Sequence, residues 1–250
     1  MVNLKSKWAL ITGASRGIGR ELTLFMASQG VNLVLHSREL ANTEGLLKEV
    51  RALGVEAFAI AAELSDDAAV REMADEILSK VQIDVLFNNA GVQPQSQSTY
   101  YVADSNEYLW SYKVNVIAPM ILVEKFLPGM LENGFGRIVN TTSGIRDLPE
   151  QGAYTASKGA LDKITKDFVT KIRGTGVTMN VLDPGWLRTD LGGQWAPNSV
   201  DTVIPGAAIG AFTNDDMNGK WISAQDFTGM ELAEAVGKAP DCFRDINWQY

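Results

Sequence analysis

Six short apolar runs recur along the chain, the first five each followed by a stretch with helical periodicity. They are WALIT (8–12), NLVLHS (32–37), EAFAIAA (56–62), IDVLFNN (83–89), GRIVNTTS (136–143) and VTMNVLD (177–183). Most of these runs are apolar at successive positions rather than at alternate ones. A strand of that kind has no face to give to water, so it belongs in a parallel sheet covered on both sides. Helical patterns running to Gln29 and over 41–53, 66–80, 104–132 and 153–173 supply the covering layers, with Pro119 a point where the longest of them can kink. The order predicts an α/β fold with a doubly wound parallel sheet, helices on both faces, and ligands at the carboxyl ends of the strands. GKWIS (219–223) brings the expected sheet to about seven strands. After DPG (183–185) the pattern loosens into a loop rich in Gly, Pro and Asn, and the tail, with Trp248, has no clear periodicity. Without a repeat or a linker, residues 1–250 read as a single domain.

Composition removes several classes of function. The chain has 250 residues, 46% of them hydrophobic, enough for one large core, and its formal net charge is −8. Phosphate backbones need a basic face, so no nucleic-acid partner is expected. The apolar run near the N-terminus is too short for a signal-peptide core, and VIAPMILV (116–123) is far short of a bilayer span, so no membrane partner is expected either. Cys242 is the only cysteine, which points to a reducing compartment, the cytoplasm. His36 is the only histidine, which leaves no Ser–His–Asp triad and no zinc site of the usual His/Cys kind; no metal is expected. If the chain is an enzyme, another residue must move the proton. YTASK (154–158) offers a phenol and an ammonium, Tyr154 and Lys158, one turn apart on one helical face.

TGASRGIG (12–19) joins the first strand to the first helix. Gly13, Gly17 and Gly19 leave room for a pyrophosphate, and the helix start at Ser15, Arg16 and Ile18 offers free N–H groups to it. The T-G-x-x-x-G-x-G spacing, followed in order by NNAG (88–91) and YTASK, resembles the short-chain dehydrogenase/reductase family over about residues 5–190. The resemblance implies a single-domain Rossmann-type fold and nicotinamide chemistry. Where the second strand ends, the sequence is HSRE. Ser37 and Arg38 fill the turn in place of a carboxylate, and with Arg16 nearby two guanidiniums suit a 2′-phosphate, so NADP(H) is the expected cofactor. Family members usually carry an Asp after the third strand to contact adenine; here Glu63, followed by Leu64, takes that position. Asn89, Ala90 and Gly91 are the expected contacts in NNAG, and Asn88 is either a brace of the sheet or a further contact.

For Tyr154 the resemblance implies general acid–base work on a carbonyl oxygen. An ammonium at Lys158 is expected to lower the phenol from its ordinary value near 10, and to hold the nicotinamide ribose. Ser143 resembles the serine that steadies the oxyanion. It precedes Tyr154 by eleven residues, about two fewer than the family commonly shows, so Thr141 and Thr142 stay as alternates. Asn115, in KVNV, resembles the fourth member of the catalytic set, or is a polar plug in a packed helix. In DPGWLRTD (183–190), Pro184, Gly185, Trp186, Leu187 and Thr189 resemble the seat of the nicotinamide, with a flexible substrate lid around 191–215 and an atypical tail over 224–250. Trp186 and Trp195 line an apolar pocket or belong to the core.

The expected activity is an NADP(H)-dependent reduction of a ketone or aldehyde, or oxidation of the matching secondary alcohol, in a homodimer or homotetramer. A 3-oxoacyl-(acyl-carrier-protein) reductase ranks second, because 186–220 carries only Arg188 and Lys220 against Asp190, Asp201, Asp215 and Asp216, a poor match for an acidic carrier. A hydroxysteroid dehydrogenase and a catalytically inactive nucleotide-binding scaffold are the other readings. The two arginines predict that turnover with NADPH far exceeds turnover with NADH at equal concentration; comparable rates would refute the 2′-phosphate assignment.

Overall fold

All six apolar runs are strands in the computed structural model, which describes residues 1–95, 104–145 and 148–246. They are β1 (Trp8–Ile11), β2 (Asn32–Ser37), β3 (Ala57–Ala61), β4 (Val85–Asn88), β5 (Gly136–Thr141) and β6 (Val177–Asp183). β7 (Lys220–Ser223) adds the expected seventh, and an eighth, β8 (Arg244–Asp245), pairs antiparallel at the edge. The sheet order is β3-β2-β1-β4-β5-β6-β7-β8, parallel up to β7. Chain order reverses between β1 and β4, so a crevice opens at their carboxyl ends.

Side-chain alternation divides the core into two layers. Ile11, Leu35, Phe87 and Val139 meet α1 (Gly17–Ser28), α2 (Glu44–Ala52), α7 (Gly206–Phe212) and α8 (Leu232–Cys242) on one face. Leu10, Val34, Leu86 and Ile138 meet α3 (Asp67–Leu78), α5 (Ala118–Glu132) and α6 (Gly152–Ile172) on the other. Both faces of each central strand are dry, which is why those runs are apolar throughout.

The long helical region departs from a simple rod. α4 (Ser105–Tyr112) runs through a π-helical turn, Lys113–Ile117, into α5. Pro119 follows just after the π turn, so the hydrogen bond its missing N–H cannot make falls at the irregularity around Asn115. Residues 105–132 thus form one helical stretch long and apolar enough to cross a membrane, far longer than VIAPMILV suggests, yet 56% of its apolar window is buried within the protein.

Two elements escape the expected pattern. α7 is buried at every residue, so it has no polar face to generate a period. It occupies the second half of the expected lid and joins the core; the exposed positions of the lid lie before and after it. α8, in the tail, buries Leu232, Ala235 and Ala239 at helical spacing, an amphipathic period where none was expected. Trp248 lies outside the described residues.

Candidate active site

The cradle forms where the first strand hands over to the first helix. A Cβ on Gly19 would stand 2.1 Å from the Gly13 carbonyl, and one on Gly13, whose φ is +67°, would stand 3.1 Å from Ala90. Only hydrogens fit, and the backbone is left bare toward the crevice. Arg16 stands at the N-cap of α1 and makes no capping hydrogen bond with its side chain, so no cap intercepts an anion at that terminus. Thr12 ties the cradle to NNAG, its hydroxyl accepting from the Asn89 and Ala90 N–H groups at 3.0 Å each. Asn89 Nδ2 donates to the Thr12 carbonyl at 2.9 Å, while Asn88 braces β4 to β5 through Asn140.

His36, on β2, is a buried strut that sequence reading passed over. Its Nδ1 accepts from Gly13 N at 3.3 Å and its other nitrogen meets the Ala62 carbonyl at 3.1 Å. That pairing requires the neutral ring with its proton on Nε2. Burial pulls its pKa down to about 4, against a hydrogen bond to Ala62 and the charge of Glu63. The strut joins the first glycine to the turn that carries Glu63.

The expected phosphate and adenine contacts have mixed fates. Arg38 is exposed. Arg16 reaches across the crevice to Asp190 at 2.9 Å, an exposed pair of the weak kind that a phosphate can displace. The Ser37 hydroxyl donates to Glu39 O. Glu63 accepts from the N–H and hydroxyl of Ser65, and the Leu64 side chain is buried, leaving only its backbone for a ligand. Ser15 and Ile18 are partly buried along the helix start.

Helix α6 presents the reactive groups at the carboxyl ends of β5 and β6. Tyr154 is buried and hydrogen-bonded to Ser143, so the short loop still brings the two together. Thr141 instead offers its carbonyl to Lys158 Nζ at 2.7 Å, and Thr142 is buried beside Asp162. Lys158 Nζ lies 5.7 Å from the centre of the Tyr154 ring. Asn115 donates to the Val92 carbonyl and to Ser157, and accepts from Val92 N, all at 2.9 Å. Its side chain is both the plug of the π turn and the link between NNAG and α6. Gly91 closes the ring, because a Cβ there would stand 3.2 Å from Lys158 Nζ and 3.4 Å from Asn115 Oδ1.

The electrostatics reverse one expectation. Tyr154 is pushed up to about 12, chiefly by burial, with the hydrogen bond to Ser143 opposing and the charge of Asp183 adding to the rise. The ammonium does not lower it: Lys158 is turned to the Thr141 carbonyl, and burial pulls Lys158 itself down to about 8. Asp183 ends β6 and accepts from Gly185 N at 3.0 Å; it lies so near the Ser143 loop that a Cβ on Gly144 would come within 2.5 Å of its carboxylate. Neither Asp183 nor Asp162 was singled out from the sequence, although the four-residue step from Lys158 to Asp162 is a readable signal.

The loop beyond β6 lies over the cradle. Pro184 accepts from Gln225, Gly185 turns with φ +78°, and Thr189 packs its methyl 3.4 Å from where a Cβ on Gly17 would be. Leu187 is core, so its side chain is not a ligand contact. Trp186 and Trp195 are 58% and 82% exposed, which removes both from the core. Trp186 is held by a bond from Nε1 to Gly192 O, and Arg188 fastens the loop by donating to the Ala196 and Pro197 carbonyls. No cluster of three or more potential metal ligands occurs among the described residues. Residues 96–103 and 146–147 lie outside the described residues.

Comparison with known proteins follows the same outline. The family model for the short chain dehydrogenases matches residues 7–199. The 3-oxoacyl-(acyl-carrier-protein) reductase of Staphylococcus epidermidis is 31% identical over 216 residues, covering 84% of this chain and 87% of the relative. A metagenomic short-chain oxidoreductase, crystallised in complex with NADP, is 32% identical, with a TM-score of 0.69 over 74% of this chain and 84% of its own. The reductase LugOII, described as catalysing keto-reduction at C1 during lugdunomycin biosynthesis, is 28% identical, with a TM-score of 0.77 over 91% of this chain and 99% of its own.

His36 gives the cradle a pH signature. Between its ordinary value of 6.5 and the folded value of about 4, the unfolded chain binds a proton that the folded one refuses. The stability it contributes is therefore full above pH 6.5 and is lost as the pH falls toward 4, on the order of 3 kcal/mol across the window. As the only histidine, its ¹⁵N signals are read without ambiguity. They should show the Nε2–H tautomer persisting well below pH 6.5; protonation near 6.5 would contradict the strut.

Proposed function

The chain belongs to the short-chain dehydrogenase family and is an oxidoreductase of that kind, and within it we propose an NADP(H)-dependent reductase of ketones or aldehydes with Tyr154 as the proton donor. The observation that carries the reading is the Tyr154–Ser143 hydrogen bond, seated beside Lys158 at the edge of a glycine cradle. The cradle fits a dinucleotide: Gly13 and Gly19 admit no side chain, the start of α1 is uncapped, and Arg16 and Arg38 offer guanidiniums for a 2′-phosphate. When bound, the coenzyme supplies hydride to the carbonyl carbon.

The protein's own groups then divide the work. Ser143 donates to the carbonyl oxygen and steadies the charge that develops on it. Tyr154 passes its proton to that oxygen as the charge appears. Lys158 keeps two N–H groups beyond its bond to Thr141 for the nicotinamide ribose and places positive charge beside the phenol. A phenol held up near 12 is fully protonated at neutral pH, the form that reduction requires. Oxidation of an alcohol starts from the phenolate, and burial makes that form costly in the coenzyme-free protein. Exposed Trp186, Leu191 and Trp195 on the rim loop favour apolar carbonyl compounds.

A carrier-bound 3-oxoacyl substrate is the second reading, supported by the staphylococcal relative. Against it, both basic residues of 186–220 are already engaged, Arg188 with carbonyls of its own loop and Lys220 with Asp245. Following NADPH consumption against small ketones, aldehydes, aromatic ketones, steroids and 3-oxoacyl carriers separates these possibilities. Tyr154→Phe should lower kcat by roughly 10²–10⁴-fold while leaving the NADPH Kd nearly unchanged. Near-wild-type turnover by that variant would overturn the assignment, and tight NADPH binding without turnover of any carbonyl would favour a scaffold.

A further inference from the structure

Lys158 is an uncommon ammonium: 4% exposed, with the uncharged Thr141 carbonyl as its hydrogen-bond acceptor among the described residues. A buried charge so lightly partnered neutralises unless an opposite charge lies near. One turn further along the buried face of α6 stands Asp162, 7% exposed, its Oδ1 buried with no hydrogen-bond partner among the described residues. Thr142 lies beside this carboxyl, but its own Oγ1 closes no hydrogen bond of good geometry. One oxygen of the carboxyl is therefore buried without the hydrogen bond that would make it a plain packing feature.

We propose that Asp162 is a positioning residue that keeps the Lys158 ammonium charged, and so sets the upper pH limit of the Tyr154–Lys158 pair. The groups facing the pair are few. Asp162 acts on Lys158 from the same helix, and Asp183 at the end of β6 acts on Asp162 and on Tyr154. From the π turn comes Asn115, from the last residue of β5 Thr141, and from just beyond it Thr142, all uncharged. Burial drives both partners toward neutrality, Lys158 down to about 8 and Asp162 up to about 7, and the attraction between them opposes both shifts. Removing the carboxylate leaves only the downward shift on the lysine.

The proposal rests on the reading that Lys158 must be charged for turnover, and the test separates the two. In the wild type the alkaline limb of kcat/KM for ketone reduction should lie near the Lys158 value of about 8. Asp162→Asn should move that limb to lower pH by on the order of one to two units, with activity retained below it, and Asp162→Glu should move it back. An equal loss at every pH with an unmoved limb would make Asp162 a packing residue and overturn the proposal. If the Asn variant does not fold, ¹³C NMR of lysine Cε and aspartate Cγ in the wild type decides instead, with Lys158 assigned by Lys158→Met. The Lys158 signal should inflect where Asp162 titrates; a Lys158 curve blind to that step overturns the proposal. Full activity in Lys158→Met would sink the catalytic reading while the NMR coupling still judged this one.

Discussion

Lys158 Nζ donates to the Thr141 carbonyl at the last residue of β5, and that 2.7 Å contact fixes where α6 lies on the sheet. One turn back along the helix, Tyr154 is thereby delivered to Ser143, just past the end of the same strand. One residue before the lysine, Ser157 meets Asn115, and Asn115 clasps both backbone groups of Val92 beyond NNAG. The glycine cradle joins through Thr12. Coenzyme cradle and proton donor are thus parts of one hydrogen-bonded frame, and a shift of α6 by even an ångström would be felt at both.

The frame has an electrostatic consequence. An ammonium pressed into the protein is stripped of water and receives one carbonyl in exchange, while a phenol beside it is stripped in the same way. Coulomb attraction between such groups is real, but desolvation acts on each group alone and here it is larger. Asp183 deepens the effect by placing negative charge where a phenolate would form. The resting site is accordingly loaded with protons rather than poised to lose them.

Much of this was legible in the chain. Residues buried on both sides of a sheet must be apolar at every position, so the six central strands announced themselves, and the glycine spacing marked the turn that follows the first. What escaped had physical reasons. Helix α7, GAAIGAF, is buried all round and carries no period. At the π turn, Lys113–Ile117, Asn115 clasps the Val92 backbone, a tertiary contact absent from local sequence. Within the site, types and spacings located Tyr154, Lys158, Ser143 and Asn115, but spacing says nothing about burial. The sign of the Tyr154 shift, the neutral strut at His36 and the buried carboxyl of Asp162 all follow from burial, and only the folded chain reveals it.

The central claim is that loss of water outweighs the neighbouring ammonium at Tyr154. Tyrosine labelled with ¹³C at Cζ, titrated in the coenzyme-free protein and assigned through the Tyr154→Phe spectrum, measures that balance directly. The account predicts a Tyr154 signal that remains that of the neutral phenol through pH 10 and ionises only near the value of about 12. A Tyr154 that ionises below its ordinary value of 10 would mean that the lysine governs it after all.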